Sequence, residues 1–191
     1  MTPERIAMGS ELSPHAIPIL AHDAVLVPGS TMTLRLLPSV HGALLREAGS
    51  IGGRFGVCVV AEEVMADVGV EARIDDFSTT PDGALALRVR GRRRFRVSQP
   101  LAMDGLVTAA VDWCEPDPDE PLRPEHALLA VVLEGILAQA GADATAAQLD
   151  DCAWVGWRLI EWLPLSVEQR QALLQEDDPF VRLDRLLVLL S

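Results

Sequence analysis

Six arginines, Arg88, Arg90, Arg92, Arg93, Arg94 and Arg96, crowd into nine positions of one segment. Guanidinium groups at that density could grip carboxylates or phosphates. Strand alternation puts Arg92, Arg94 and Arg96 on one face, with Phe95 and Val97 on the opposite, core-facing one. Two readings follow. The arginines are a solvated outer face that offsets Glu71, Asp75 and Asp76 on a neighbouring strand, or Arg90, Arg92 and Arg94 form a basic patch for acidic polypeptide or nucleic acid. The four tryptophans are the second candidate group. Trp113 ends a strand, Trp154 and Trp157 lie three apart on one side of a helix, and Trp162 falls to another side. They either seal an interface between two parts of the chain or form an aromatic patch that grips a client polypeptide.

Other chemistries find no support. All 16 basic residues are arginine, so the phosphate-binding lysine of a Walker A site, a Ser-Lys dyad and a Schiff-base lysine are all ruled out. His15, His22, His41 and His126 show no metal-ligand spacing. Cys58, Cys114 and Cys152 are scattered with no Cys-x-x-Cys, which argues against a zinc site and a disulfide framework. No serine sits in a Gly-x-Ser-x-Gly context. The glycine-rich run Gly49–Gly56 precedes a strand rather than opening a helix, so it reads as a flexible loop. The expectation is a non-catalytic protein without metal or cofactor.

The elements that must position these residues change character along the chain. Residues 1–15 read as a tail, residues 16–115 as short strands, 116–125 as a proline-rich acidic linker, and 126–191 as helices. The strands are expected at Ile17–Leu20, Val25–Val27, Met32–Leu37, Val57–Ala61, Val68–Phe77, Ala84–Arg90, Arg92–Val97 and Leu106–Trp113. A helix from about Val40 to Ala48, capped by Ser39, interrupts them. Many short strands at close spacing suggest a small closed barrel. In the second half, helices begin at His126, at the capping box Thr145-x-x-Gln148, at Ser166-x-x-Gln169 and at Asp178-Pro179, which makes a four-helix bundle. The fold class is therefore α+β. The strongest local signal is Pro81-Asp82-Gly83 between alternating segments, a hairpin. A two-residue Asp82-Gly83 loop places Val89 opposite Asp76 and Leu87 opposite Ser78, and pairs Asp75 with Arg90 and Glu71 with Arg94.

Net charge is −12 with a pI near 4.6, which weighs against nucleic acid and anionic membrane as partners. No apolar run is long enough to span a bilayer, and the first 15 residues lack a secretory signal, so the expected location is the cytoplasm.

Several segments in order resemble the N-terminal, substrate-binding domain of the Lon protease family. These are Ile17-Pro18-Ile19-Leu20, then Val25-Leu26-Val27-Pro28-Gly29, the Pro81-Asp82-Gly83 hairpin with Val89-x-Gly91-x-Arg93-Arg94-Phe95-Arg96-Val97, Leu163-Pro164-Leu165, and Arg182-Leu183-x-x-Leu186-Leu187. The resemblance spans about residues 17–190. It implies a PUA-like β pseudo-barrel followed by a helical bundle, free-standing and without the ATPase and protease modules. It also implies binding of unfolded or partner polypeptides, as in a proteolysis adaptor, by a monomer or weak homodimer. Candidate contacts are Val27, Pro28, Gly29, Trp113, Trp154 and Trp157. The alternative is a PUA-like RNA-binding module that uses the arginine strand.

Overall fold

The computed structural model describes residues 16–103 and 106–191; the expected N-terminal tail lies outside them. Strands β1 (Ala16–His22), β2 (Thr31–Leu36), β3 (Arg54–Ala61), β4 (Val64–Met65), β5 (Val68–Thr79), β6 (Leu85–Met103) and β7 (Leu106–Trp113) form one sheet, with helix α1 (Pro38–Ser50) after β2. Pairing runs β1-β7-β6-β5-β3, and β1 then pairs in parallel with β3 to close the ring. Strand β2 adds to the first half of β6, and β4 adds to β3. This is the α+β pseudo-barrel that the sequence led us to expect, although Val25–Val27 belongs to no strand. That segment is held instead by burial of Val25, Leu26 and Val27.

Closure gives the strands two buried faces. Ile17, Ile19, Cys58, Phe95, Ala109 and Val111 fill the barrel. Their strand neighbours Leu20, Val57, Val59, Val68 and Val70 point outward, into a larger cluster shared with the helices. Those helices are a 3-10 turn (Pro124–His126), α2 (Ala127–Gln139), α3 (Ala146–Leu149), α4 (Cys152–Trp162), α5 (Val167–Leu174) and α6 (Pro179–Leu190). Both capping boxes form, at Thr145/Gln148 and Ser166/Gln169, and Asp178 caps α6. The helix expected to run unbroken from Thr145 stops at Leu149. Asp151 starts α4 by accepting from the Ala153 and Trp154 amides, so its side chain competes with helix continuity. Helix α1 begins at Pro38 with Leu37 as a cap that offers no side chain, so Ser39 sits inside the first turn.

The β5–β6 hairpin differs from the expected register for a local reason. Its loop has three residues, Pro81-Asp82-Gly83, closed by Gly83 N–H to the Thr80 carbonyl (2.9 Å) and Thr80 N–H to the Ala84 carbonyl (2.8 Å). Gly83 has φ +81°, the left-handed residue that such a loop needs. Asp76 consequently faces Arg88, and a bulge at Asp75 then sets Val89 opposite Ile74. A bulge farther along opposes Arg92 and Arg93 to Glu71 alone, between the pairs Ala72–Gly91 and Val70–Arg94. The extra residue reverses the alternation. Arg90 and Arg92 point one way, and Arg94 points the other, into the outward face that the helices cover.

Candidate functional site

Along one edge, β6 changes partner, from β2 up to Arg90 to β7 from Phe95 onward. The gap between is filled by other backbone. Gly29 N–H donates to the Gly91 carbonyl and Gly91 N–H to the Ser30 carbonyl, both at 2.9 Å, and Cys114 N–H reaches the Arg94 carbonyl at 3.1 Å. A Cβ on Gly91 would run into the Val27 carbonyl, so only glycine lets the Val27–Ser30 turn lie this close. Ser30 N–H closes that turn on the Val27 carbonyl, and Arg158 of α4 holds it by donating to the Pro28 carbonyl at 2.8 Å.

An open groove of about 1190 Å³ passes over this changeover. Strand alternation places Arg54 of β3, Arg73 of β5 and Trp113 of β7 on the barrel-interior side at the mouth. Trp113 stands edge-on to Phe95 below it, with ring centroids 6.0 Å apart. The Arg93 guanidinium stacks 3.4 Å above the Trp113 ring and bonds Glu71, whose other oxygen lies 3.6 Å from Arg54. At the opposite end the groove reaches Trp157 and Asp117, where the barrel meets the helices. A smaller pocket beside it, about 290 Å³, is lined by Trp154, Trp157, Pro28 and Gly29.

The groove thus gathers most residues that the sequence singled out: Pro28, Gly29, Trp113, Trp157, Arg90, Arg92 and Arg94. Trp154 joins through the adjoining pocket. Two need correction. Val27 is 2% exposed and is a core residue, because the turn it precedes points Pro28 outward in its place. Arg94 was expected on a solvent face with Arg92 and Arg96, but the bulge turns it inward. It donates to the Leu174 and Glu176 carbonyls and to Asp177, which leaves it 5% exposed and committed to the helices. Glu71 pairs with Arg93 and Arg54 in its place, while the expected Asp75–Arg90 pair does form at 3.0 Å.

Sequence reasoning missed the seam below the groove. Asp117, in the segment read as a linker, takes two hydrogen bonds from the buried Arg182 (3.0 and 3.1 Å) and one from the Trp157 indole (2.6 Å). The Arg182 guanidinium lies 3.6 Å over the Trp157 ring. Burial lowers the Arg182 pKa, and Asp117 opposes that shift by favouring the charged form. A single aspartate 65 residues from its partner carries no sequence signature. The same segment is tied down by Pro121 bridging Asp151 and by Cys152 N–H bonding the Glu120 carbonyl.

Among the described residues, no group of His, Cys, Asp and Glu is placed to hold a metal ion. Burial pushes the thiols of Cys58, Cys114 and Cys152 upward, Cys58 to about 12, which leaves them protonated and poorly nucleophilic. No described helix is long and apolar enough to cross a membrane.

Comparison with known proteins agrees with this architecture. The family model for the ATP-dependent protease La (LON) substrate-binding domain matches residues 16–191. A crystal structure of a Lon N-terminal domain protein from Xanthomonas campestris superposes with a TM-score of 0.80 at 49% identity, covering 91% of this chain and 97% of that one. The N-terminal domain of the Mycobacterium avium complex Lon protease shares the fold, with a TM-score of 0.68 at 21% identity over 90% and 95% of the two chains. Lon protease 2 of Herpetosiphon aurantiacus is 30% identical over 136 residues, which are 65% of this chain but only 16% of that protein. A match that runs from the first described strand to the last residue leaves no part of this fold unaccounted for, and the chain belongs to the Lon substrate-binding domain family.

Proposed function

We propose that the chain captures segments of unfolded or partner polypeptide in the groove at the β6 changeover and presents them for proteolysis by a separate enzyme. The observation that carries this reading is the convergence of the Pro28–Gly29 turn, Trp113 and Trp157 on one groove that arginines also line. Aromatic anchors flanked by guanidiniums suit a peptide, whose apolar side chains and backbone carbonyls both need partners. The role is binding without turnover, in the cytoplasm. Titration of the purified protein with a fluorescently labelled unfolded polypeptide tests it. Saturable binding without cleavage, weakened at least about tenfold by Trp113→Ala, is expected. Absence of polypeptide binding, with single-stranded RNA binding instead, would overturn it.

A further inference from the structure

The barrel mouth carries a charge arrangement that folding alone disfavours. Arg54 on β3 is directly opposite Arg73 on β5, and Arg73 is directly opposite Arg90 on β6. Three guanidiniums therefore sit in one row across adjacent strands spaced about 4.8 Å apart. Like charges directly opposite on a sheet are destabilising. The ends of the row are relieved, Arg54 by Glu71 and Arg90 by Asp75. The centre is not: Arg73 is exposed and has no carboxylate partner among the described residues, and the same holds for Arg92 beside it. Six of the chain's sixteen basic residues line the groove, against three of its 28 acidic ones, so the site is positive in a protein of net charge −12.

Resting on the polypeptide-binding reading above, we propose that the groove selects acidic segments. Carboxylates of the bound chain bridge the unpaired Arg73 and Arg92, and neighbouring apolar side chains cover Trp113. Arg–carboxylate pairs of this kind are bidentate and directional. A positive groove in a protein that is acidic overall favours a short acidic peptide stretch over nucleic acid. A long phosphate backbone would leave the groove and meet the acidic surface around it.

Three unstructured labelled peptides of equal length separate the possibilities: one with Asp and Glu among Leu and Phe, its Asn/Gln counterpart, and a Lys/Arg counterpart. Anisotropy titrations at low and moderate salt, with a single-stranded RNA alongside, are expected to rank acidic above neutral above basic. The acidic preference should shrink with salt. Arg73→Gln and Arg92→Gln should each weaken the acidic peptide roughly fivefold and leave the neutral one unchanged. Arg88→Gln removes the same charge outside the groove, on the strand that carries Arg92, and should do neither. Because Arg73 faces like charge on both sides, Arg73→Gln should leave the unfolding midpoint unchanged or raise it. Equal binding of acidic and neutral peptides would overturn the acidic selection and leave polypeptide capture standing. RNA binding without peptide binding, or no binding at all, would overturn both. A lowered midpoint with unaltered peptide preference would make Arg73 a structural residue and overturn the selection as well.

Discussion

Replacing Asp117 by alanine removes the carboxylate from the seam between barrel and helices while leaving its two cationic neighbours in place. Arg182 is fully buried and loses both of its side-chain partner bonds, keeping only the Glu176 carbonyl at 2.8 Å. Arg94, also buried, loses a carboxylate at 3.8 Å, and the Trp157 indole loses its acceptor. Breaking a buried ion pair from one side costs about 3–5 kcal/mol, because the remaining charge stays desolvated and uncompensated. The orphaned indole adds about 1 kcal/mol. For a chain of this size each kcal/mol moves the midpoint by about 2–4 °C, so a fall of roughly 8–24 °C is expected. Thermal and urea denaturation of Asp117→Ala measure this, with Asp119→Ala, exposed in the same acidic segment, as a control expected within about 0.5 kcal/mol of wild type. The double variant Asp117→Ala/Arg182→Met removes both charges and should recover much of the loss. A cost below about 1 kcal/mol for Asp117→Ala, or a double variant equal to the sum of the singles, would refute the coupling on which this reasoning rests.

Gly91→Ala should dislodge the Val27–Ser30 turn, because its Cβ meets backbone that cannot rotate away; a loss of about 1–3 kcal/mol and weaker polypeptide binding are expected by denaturation and titration. Cys58, buried and pushed up to about 12 by desolvation and by Asp67, should resist alkylation at pH 8 until the protein unfolds, as read by mass spectrometry. Its raised pKa means the folded state holds the proton longer than the unfolded chain, so stability should fall between about pH 9 and 12, a fall that Cys58→Ala removes. Burial pushes the Asp177 carboxyl upward, but Arg96 and Arg94 together outweigh it and hold it below 3.8. The stability it contributes should be present above that value and lost as pH falls through the lowered one; Asp177→Asn should flatten the acid limb of the denaturation profile.

Local chemistry was legible wherever a short segment decides its own structure. The capping boxes at Thr145 and Ser166, the Asp178-Pro179 helix start and the turn at Pro81-Asp82-Gly83 are all fixed by neighbours within four residues. Loop length was not, since a two-residue and a three-residue closure both call for a left-handed Gly83, and only the pairing of Thr80 with Ala84 tells them apart. The bulge at Arg92–Arg93 has no compositional mark, yet it decides which arginines face the groove and turns Arg94 into a structural clamp. Asp117 was hidden for a different reason. An acidic, proline-rich stretch looks like a linker whether or not one of its carboxylates meets buried guanidiniums brought from a distant strand and helix. The convergence of Pro28, Trp113 and Trp157 depends likewise on ring closure and on the partner change along β6, which only the assembled sheet reveals.

Hydrogen–deuterium exchange of the protein with and without a saturating unfolded polypeptide tests the central claim most directly. Polypeptide capture in the groove predicts slowed exchange confined to residues 27–31, 90–94 and 113–117. Protection on the exposed apolar side of α2, around Leu128 and Val131, with none at the groove would contradict it.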